Sequence, residues 1–194
     1  MELVFASGNK NKINQMKLLL DKVDLKSPKD FNIDKFEVVE DGDTLSENAY
    51  KKAKALFDEL QIPIIADDTG LFVDTLNGRP GVHSHRYASD NPTYKENREK
   101  LLLDLKGNTD RKAHFKTVIC FIDQTGKDHY FEGKLNGEIT NEEIGDYEFG
   151  YDQIFRPKNL EKTLGQMSDY EINEISHRSI AINNFKQFLE DNYD

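Results

Sequence analysis

The chain has 194 residues, of which 37% are hydrophobic and 10% aromatic, and this composition predicts one globular domain rather than a disordered chain. The 26 Lys+Arg and 36 Asp+Glu residues give a formal net charge of −10, which argues against a broad nucleic-acid-binding or membrane-binding face but allows a small anionic substrate. A single cysteine, Cys120, excludes an internal disulfide and a metal site made of thiolates.

Strands and helices are predicted to alternate in the first part of the chain. An unbroken apolar run at 3–6 predicts a strand buried on both faces, and the helical spacing of the apolar residues that follow predicts a helix to about residue 23. Residues 36–39 predict a second strand. Residues 44–47 fit a capping box, and the helix that they open is predicted to end at Pro63.

The middle of the chain predicts a buried strand, a helix and an antiparallel hairpin. Residues 64–66 predict a short buried strand that leads directly into Asp67. A second capping box at 93–96 opens a helix that stops near residue 107. Alternating β-branched and aromatic residues at 113–123 and a partner segment at 129–135 predict the hairpin.

The last part of the chain predicts a short strand and a last helix. Residues 150–157 predict a short strand or strand-loop, residues 168–171 fit a third capping box, and residues 177–189 predict an amphipathic helix. Buried strands, helices and one hairpin together predict an α/β fold with a mixed central sheet.

The turn Ser7-Gly8-Asn9-Lys10-Asn11-Lys12 is the first candidate site. A helix N-terminus offers unpaired N–H groups that suit a phosphate, and the glycine allows close approach of a ligand to the backbone. The spacing is not that of a P-loop. The alternative is an ordinary turn that Asn9 or Asn11 caps, with its lysines in water.

Acidic residues form the second and third candidates. Adjacent carboxylates in Asp67-Asp68-Thr69-Gly70 follow an apolar run, and magnesium with a substrate phosphate would neutralise them. An acid from the segment at 37–43 could complete such a site. The alternatives are a polar strand end in which Asp68 caps a turn, and an acidic loop that is simply solvated.

Two later motifs combine cationic, aromatic and acidic side chains. His177 and Arg178 stand at a predicted helix N-terminus, where the helix dipole favours acids, and this unfavourable placement hints at function. The alternative is a pair of exposed polar side chains. In Phe149-Gly150-Tyr151-Asp152 the aromatics could form a wall for a nucleobase and the acid could accept its N–H groups, although core packing explains both aromatic residues equally well.

Five motifs follow one another in an order that covers nearly the whole chain. They are Ser7-Gly8-Asn9-Lys10-Asn11-Lys12, Glu47-Asn48-Ala49-Tyr50-Lys51-Lys52-Ala53, Ala66-Asp67-Asp68-Thr69-Gly70-Leu71 with Asn77-Gly78-Arg79-Pro80-Gly81-Val82 and Ser84-His85-Arg86-Tyr87, Phe149-Gly150-Tyr151-Asp152, and Ser176-His177-Arg178. Together they resemble the inosine/xanthosine triphosphate pyrophosphatase family.

The resemblance implies an activity and an architecture. The activity is hydrolysis of non-standard purine nucleoside triphosphates (ITP, dITP and XTP) to the monophosphate and pyrophosphate with Mg²⁺, which cleans the nucleotide pool. The fold would be one domain over 1–194, with a mixed sheet and two lobes around a deep substrate cleft. The expected partner is the nucleotide, and the expected assembly is a homodimer. Apart from the resemblance, the acidic charge predicts no nucleic-acid or membrane partner, and the lack of a targeting segment predicts a cytoplasmic protein.

The resemblance also assigns roles to individual residues. Asp68 would accept the proton of the attacking water, and Glu40 and Asp68 would hold magnesium. His177 and Arg178 would read the 6-oxo edge of the base. The remaining substrate-binding residues would be Ser7, Gly8, Asn9, Lys10, Asn11, Lys12 and Lys52 at the triphosphate, Thr69, and Phe149, Gly150, Tyr151 and Asp152 at the base.

Three positions depart from the family pattern. Ile172 stands where the family usually has lysine, five residues before the histidine of Ser-His-Arg, so either affinity falls or a nearby lysine such as Lys162 substitutes. Thr69 replaces a common serine and keeps the hydroxyl. Gln153 replaces a common proline.

Two other functions remain open from the sequence. The missing lysine at 172 allows a related pyrophosphatase that acts on pyrimidine or modified nucleotides, and turnover of a panel of triphosphates would separate the two enzymes. A catalytically silent nucleotide-binding protein is the third possibility. The presence of Glu40, Asp68 and Lys12 argues against it, since a pure binder needs no metal-activated water.

Overall fold

The computed structural model describes residues 1–193, which form a central sheet with helices on both of its faces. The strands are β1 (Glu2–Phe5), β2 (Asp24–Lys26), β3 (Ile64–Val73), β4 (Pro80–Gly81), β5 (Lys112–Ile122), β6 (Asp128–Ile139) and β7 (Phe155–Pro157). The α-helices are α1 (Lys10–Leu19), α2 (Leu45–Leu60), α3 (Tyr94–Asp104), α4 (Asp169–Ile175) and α5 (His177–Tyr193). None of the helices in residues 1–193 is long and apolar enough to cross a bilayer.

The sheet contains both parallel and antiparallel pairs. Its strand order is β2-β1-β3-β5-β6-β7, and β4 pairs with β3. β1 runs parallel to both neighbours, with Val4 opposite Lys26 on one side and Ile64 on the other. β4 runs antiparallel to β3, with Leu71 opposite Gly81, and β7 runs antiparallel to β6. The predicted α/β class with a mixed sheet is confirmed.

The chain divides into two compact units. Unit 1 contains Met1–Asp68, Thr117–Gly133 and the segment from Ser179 onward, and unit 2 contains Thr69–Lys116 and Lys134–Arg178. β3, β5 and β6 each contribute residues to both units. The substrate cleft expected from the family resemblance stays a prediction.

Unit 1 is built on a strand that is buried on both faces. Leu3 and Phe5 of β1 belong to one apolar cluster, which α1 and α5 cover, whereas Val4 and Ala6 belong to a second cluster, which α2 covers. This division follows from the pleat, since successive strand side chains point to opposite faces. The unbroken apolar run therefore predicted β1 correctly.

Unit 2 has its own apolar core. Leu101 and Leu105, from α3 and its C-cap, pack in one cluster with Leu71 of β3, Phe155 of β7 and Ile172 of α4. The cluster anchors α3 and α4, which lie before and after the segment at 149–152 in the chain.

The predicted strand at 36–39 is wrong. These residues form no strand, and the partner of β1 on that side is β2, at Asp24–Lys26. β2 is three residues long and has one apolar side chain, so it carries no alternation that could predict it. Phe36 is half-buried against the second core cluster of unit 1, and Val39 is 73% exposed.

Two of the three predicted capping boxes are complete. Thr93 and Ser168 each accept a hydrogen bond from the backbone N–H three residues on, and the glutamate there bonds back to the cap. Thr44 also accepts from the Glu47 N–H, at 3.1 Å, but the Glu47 carboxylate accepts from Asp43 instead of Thr44. α2 therefore starts where predicted with only half of the box.

Candidate active site

Asn9 caps α1 in the turn that follows β1. Its Oδ1 accepts from the backbone N–H of Asn11 at 3.0 Å and of Lys12 at 3.2 Å. The interpretation as an ordinary capped turn is therefore correct for these two amides, which are already hydrogen-bonded. Gly8, Lys10 and Asn11 are exposed, so an anion can reach the turn from solvent and meet its lysine charge.

Five charged side chains of unit 1 form what we call the carboxylate–lysine cluster: Lys12, Glu40, Lys52, Asp67 and Asp68. The Lys12 Nζ lies 3.5 Å from Asp67 Oδ1, and the Lys52 Nζ lies 2.5 Å from Glu40 Oε1. Asp67 is 1% exposed, and the Lys52 side chain is 14% exposed. α1, α2, β3 and the loop before α2 thus bring together residues that are far apart in sequence.

The charges of this cluster shift each other's protonation. Burial raises the pKa of Asp68 to about 6; Glu40 and Asp67 add to the rise, whereas Lys52 and Lys12 oppose it. Burial alone would lower the pKa of Lys52, but the carboxylates of Asp67, Asp68 and Glu40 outweigh it and raise that pKa. Lys52 therefore stays cationic, and Asp68 changes its charge near neutral pH.

Both aspartates lie inside β3 and not after its end. β3 runs to Val73, so the predicted end of this strand at residue 66 is wrong, and so is the alternative in which Asp68 caps a turn. The apolar pattern stops at Asp67, but the strand continues because the buried carboxylate pairs with Lys12. Asp67 is buried and Asp68 is partly exposed, as alternation along a strand favours.

The oxygen donors of the cluster fit magnesium. Among residues 1–193, no group of three or more His, Cys, Asp or Glu side chains is placed to hold a metal by itself. Magnesium characteristically takes one or two carboxylates and completes its shell with water and substrate phosphates. Glu40 and Asp68 match that need, and the raised pKa of Asp68 marks a buried negative charge that a cation would stabilise.

Unit 2 presents the aromatic loop, which we define as residues 149–152. Phe149 is half-buried outside the apolar core, with its ring edge-to-face to Tyr94 at 5.3 Å between centroids. Tyr151 belongs to the core, and its hydroxyl donates to the Ser84 carbonyl oxygen at 2.6 Å. Core packing therefore explains Tyr151, whereas Phe149 keeps an aromatic surface outside that core.

Asp152 is a buried carboxyl on which the charges of Arg178 and Arg98 act. Burial raises its pKa to about 7, although Arg178 and Arg98 both oppose the rise. The residue is 8% exposed and lies in the 3₁₀ turn Asp152–Ile154. It can therefore accept hydrogen bonds when ionised and donate one when protonated, within the range around neutral pH.

His177 and Arg178 are buried and not exposed. They open α5 at 9% and 5% exposure, so the interpretation as two exposed polar side chains is wrong. The His177 ring stacks on Phe115 at 4.9 Å between centroids. Arg178 donates from Nη2 to Thr69 Oγ1 at 3.5 Å, which places the two predicted substrate contacts next to each other.

Sequence reasoning missed two charged residues at these places. It named Asp67 only as one of a pair, yet Asp67 is the buried partner of Lys12. It did not name Arg98, which is 2% exposed on α3. A signal for Arg98 was available, since it lies on the same helical face as Leu101 and Leu105, where an apolar residue is expected.

The structure shows where Ile172 and Gln153, two residues that depart from the family pattern, lie and what they contact. Ile172 is 8% exposed in the core of unit 2. Lys162 has an exposed side chain whose Nζ lies 3.4 Å from Glu171 Oε1, so its known contact is an ion pair at the surface. Gln153 is buried, and its Nε2 donates to the Gly145 carbonyl oxygen at 2.7 Å.

Each unit carries side chains that suit a particular kind of ligand group. The carboxylate–lysine cluster suits a polyanion with a divalent cation and a proton acceptor of near-neutral pKa. The aromatic loop, with Asp152, His177 and Arg178, suits a planar heterocycle whose edge both donates and accepts hydrogen bonds.

Comparison with known proteins identifies close relatives. The Ham1 family matches residues 3–188. The chain is 42% identical over 193 residues to a curated dITP/XTP pyrophosphatase of Thermoanaerobacter pseudethanolicus, and the match covers 97% of this chain and 96% of that protein.

Solved structures agree over nearly the full length. The Staphylococcus aureus Ham1 protein superposes with a TM-score of 0.90 at 41% identity, and the match covers 98% of each chain. A HAM1 protein from Coxiella burnetii superposes with a TM-score of 0.91 at 34% identity over 98% of this chain and 99% of that one.

Proposed function

The chain belongs to the Ham1 family, and from that premise we propose that it hydrolyses ITP, dITP and XTP to the monophosphate and pyrophosphate. The observation that carries the proposal is the carboxylate–lysine cluster, in which Lys12 and Lys52 lie against Asp67 and Glu40 around a carboxyl, Asp68, of near-neutral pKa.

The triphosphate binds to unit 1. The turn at 7–12 receives it, and Lys10, Lys12 and Lys52 supply positive charge to its oxygens. These cations favour the transition state in particular, since negative charge gathers on the leaving pyrophosphate as the bond breaks. The carboxylate–lysine cluster itself holds three carboxylates against two lysines, so a bound divalent cation would be needed to balance the triphosphate there.

Glu40 and Asp68 hold magnesium in this proposal. When bound, the ion neutralises phosphate charge and lowers the pKa of a bound water. The chain's own contribution is to place Lys52 against Glu40 and to oppose the rise in the pKa of Asp68 with the charges of Lys52 and Lys12.

Asp68 is the proton acceptor for the attacking water. In the metal-free chain its pKa is raised to about 6, so Asp68 is more basic than an ordinary aspartate before magnesium binds. A general base is most effective when its pKa lies near the working pH. Lys52 tunes this value, because its positive charge opposes the effect of burial.

The nucleobase binds to unit 2. Phe149 stacks on it, Gly150 lets the backbone approach, and Asp152 accepts hydrogen bonds from its N–H groups. Arg178, together with His177, donates to the 6-oxo oxygen of hypoxanthine or xanthine. Adenine has an amino donor at that edge, so it would leave the buried donors unpaired and be rejected.

Tyr151, with its ring in the core and its hydroxyl on Ser84, contributes to this site by holding the loop. Thr69 orients the Arg178 guanidinium through the contact at 3.5 Å.

A panel of triphosphates tests the proposal. Purified protein with Mg²⁺ should release pyrophosphate from ITP, dITP and XTP much faster than from ATP, dTTP and UTP. Faster turnover of dTTP or UTP would favour the pyrimidine enzyme that Ile172 leaves open. Nucleotide binding without turnover would favour a silent binder.

The assembly and location are parts of the same proposal. We expect a homodimer in the cytoplasm that removes deaminated nucleotides from the pool, without nucleic acid as partner. Light scattering of the purified protein would give about 45 kDa for the dimer, which is twice the chain mass of 22.4 kDa.

A further inference from the structure

Arg98 is an unusual residue for the core of unit 2. It is 2% exposed on α3, on the face that Leu101 and Leu105 also use. Burying a guanidinium is unfavourable unless its N–H groups and its charge find partners. The contacts of Arg98 therefore indicate why the chain keeps a cation there.

Those contacts lead to the aromatic loop. Nη1 donates to the carbonyl oxygens of Glu148 at 3.2 Å and Gly150 at 2.9 Å. Nε lies 3.2 Å from Glu143 Oε1. Glu148 and Gly150 are the two chain neighbours of Phe149, so one rigid guanidinium holds the backbone on both sides of that ring.

The charge of Arg98 also acts on Asp152. Gly150, whose carbonyl oxygen accepts from Arg98 at 2.9 Å, lies two residues before Asp152 in the chain. The ionisable groups that interact electrostatically with this carboxyl are Arg178, Arg98, Tyr94 and Tyr147. Burial raises the pKa of Asp152, and both arginines oppose it. Loss of Arg98 would therefore leave Asp152 protonated over a wider pH range and turn an acceptor into a donor.

Position 172 carries no charge in this chain. The family resemblance expects a lysine there, and Ile172 instead packs in the apolar core. Arg98 is a cation that is not part of the family pattern. It lies in unit 2, as does position 172, where the family usually has lysine.

We propose that Arg98 is a positioning residue for the nucleobase: it fixes the aromatic loop through the carbonyl oxygens of Glu148 and Gly150 and keeps a positive charge beside Asp152. This inference rests on the proposed function for the identity of the ligand. Arg98 acts through the loop and Asp152, so it determines nucleobase affinity and has little effect on the chemical step.

Three variants separate this role from simple structural support. Arg98→Met removes both the charge and the hydrogen bonds and keeps a long side chain. Arg98→Lys keeps the charge but lacks the planar set of N–H donors of the guanidinium. Arg111→Met is the matched control, because the Arg111 guanidinium also holds backbone carbonyls in unit 2, those of Leu105, Ile139 and Thr140.

The first readout is the split between KM and kcat for ITP across pH 5.5–8.5. Arg98→Met should raise KM about tenfold or more, because buried carbonyls lose a charged donor, while kcat stays within about threefold. The loss of affinity on the acid side should begin at higher pH than in the wild type. Arg98→Lys should restore that pH profile and part of the KM. Arg111→Met should lower thermal stability without moving KM.

An unchanged KM in Arg98→Met, or an equal rise in Arg111→Met, would overturn the inference. A second readout needs no activity: the ¹³C titration of the Asp152 carboxyl, identified by its absence in Asp152→Asn. Its midpoint should rise in Arg98→Met and stay near the wild-type value in the other two variants. A midpoint that does not shift in Arg98→Met would overturn the inference, whether or not the enzyme is active. Failure of the wild type to release pyrophosphate would instead refute the proposed function.

Discussion

Replacement of Asp68 by asparagine separates the chemistry of the site from its stability. The change keeps the shape of the side chain and removes its charge. Loss of a general base alone lowers turnover by about 10²–10⁴-fold. Asparagine also lacks the negative charge with which Asp68 would hold magnesium, and this loss lowers turnover further. We therefore expect pyrophosphate release from ITP to fall by several orders of magnitude in Asp68→Asn.

The same variant should be more stable than the wild type at alkaline pH. The pKa of Asp68 rises from 3.8 to about 6 on folding, so the folded state disfavours the ionised form. Two pKa units correspond to at most about 3 kcal/mol of unfolding free energy. This penalty is absent below pH 4, develops between pH 4 and 6, and is fully present at pH 8, where asparagine removes it.

Urea unfolding at pH 4 and pH 8, together with steady-state kinetics on ITP, checks both parts. The control is Asp58→Asn, which removes an exposed carboxylate of α2 that pairs with Lys54, and it should change neither activity nor the pH dependence of stability. A fully active Asp68→Asn, or one that is less stable at pH 8 than the wild type, would refute the account of this carboxylate.

Further variants test the electrostatics and the nucleobase contacts. Lys52→Met removes a charge that holds the pKa of Asp68 down. The acid limb of kcat/KM for ITP should therefore move to higher pH than in the wild type, and the maximum should fall about tenfold or more. An unmoved limb would contradict the coupling. Arg178→Ala should narrow the ratio of kcat/KM between ITP and ATP about tenfold or more, and an unchanged ratio would argue against recognition of the base by this residue. Thr93→Ala breaks the complete capping box of α3, and calorimetry should show a loss of about 1 kcal/mol of stability while ITP turnover stays unchanged; a drop in turnover would mean that α3 affects the site more directly.

Local signals predicted the elements that carry strong periodicity or caps. The apolar run of β1, the hairpin of β5 and β6, and the caps Thr93 and Ser168 are all in the structure. These features depend on residues close together in the chain, so a sequence displays them directly.

The errors arose where contacts from distant residues decide the structure. β2 forms because its three residues pair with β1, although they carry no pattern of their own, whereas the more apolar segment at 36–39 finds no partner strand. β3 continues through Asp67 because Lys12 neutralises a carboxylate that the pattern alone marks as a strand end.

The candidate site could be predicted by residue type but not by environment. The motifs pointed to Asp68, His177 and Arg178, yet the burial of the last two became visible only when Phe115 and Thr69 were placed against them. The helical face of Arg98 could have predicted its burial, but its contacts with Glu143 and with the carbonyl oxygens of Glu148 and Gly150 join residues that are far apart in the chain.

The products formed from ITP give the most direct test of the central claim, that the lysines and carboxylates of unit 1 direct cleavage between the α and β phosphates. Phosphorus NMR of the reaction with Mg²⁺ should show IMP and pyrophosphate in equal amounts, and neither signal should grow in Asp68→Asn. Formation of IDP and inorganic phosphate would contradict the claim.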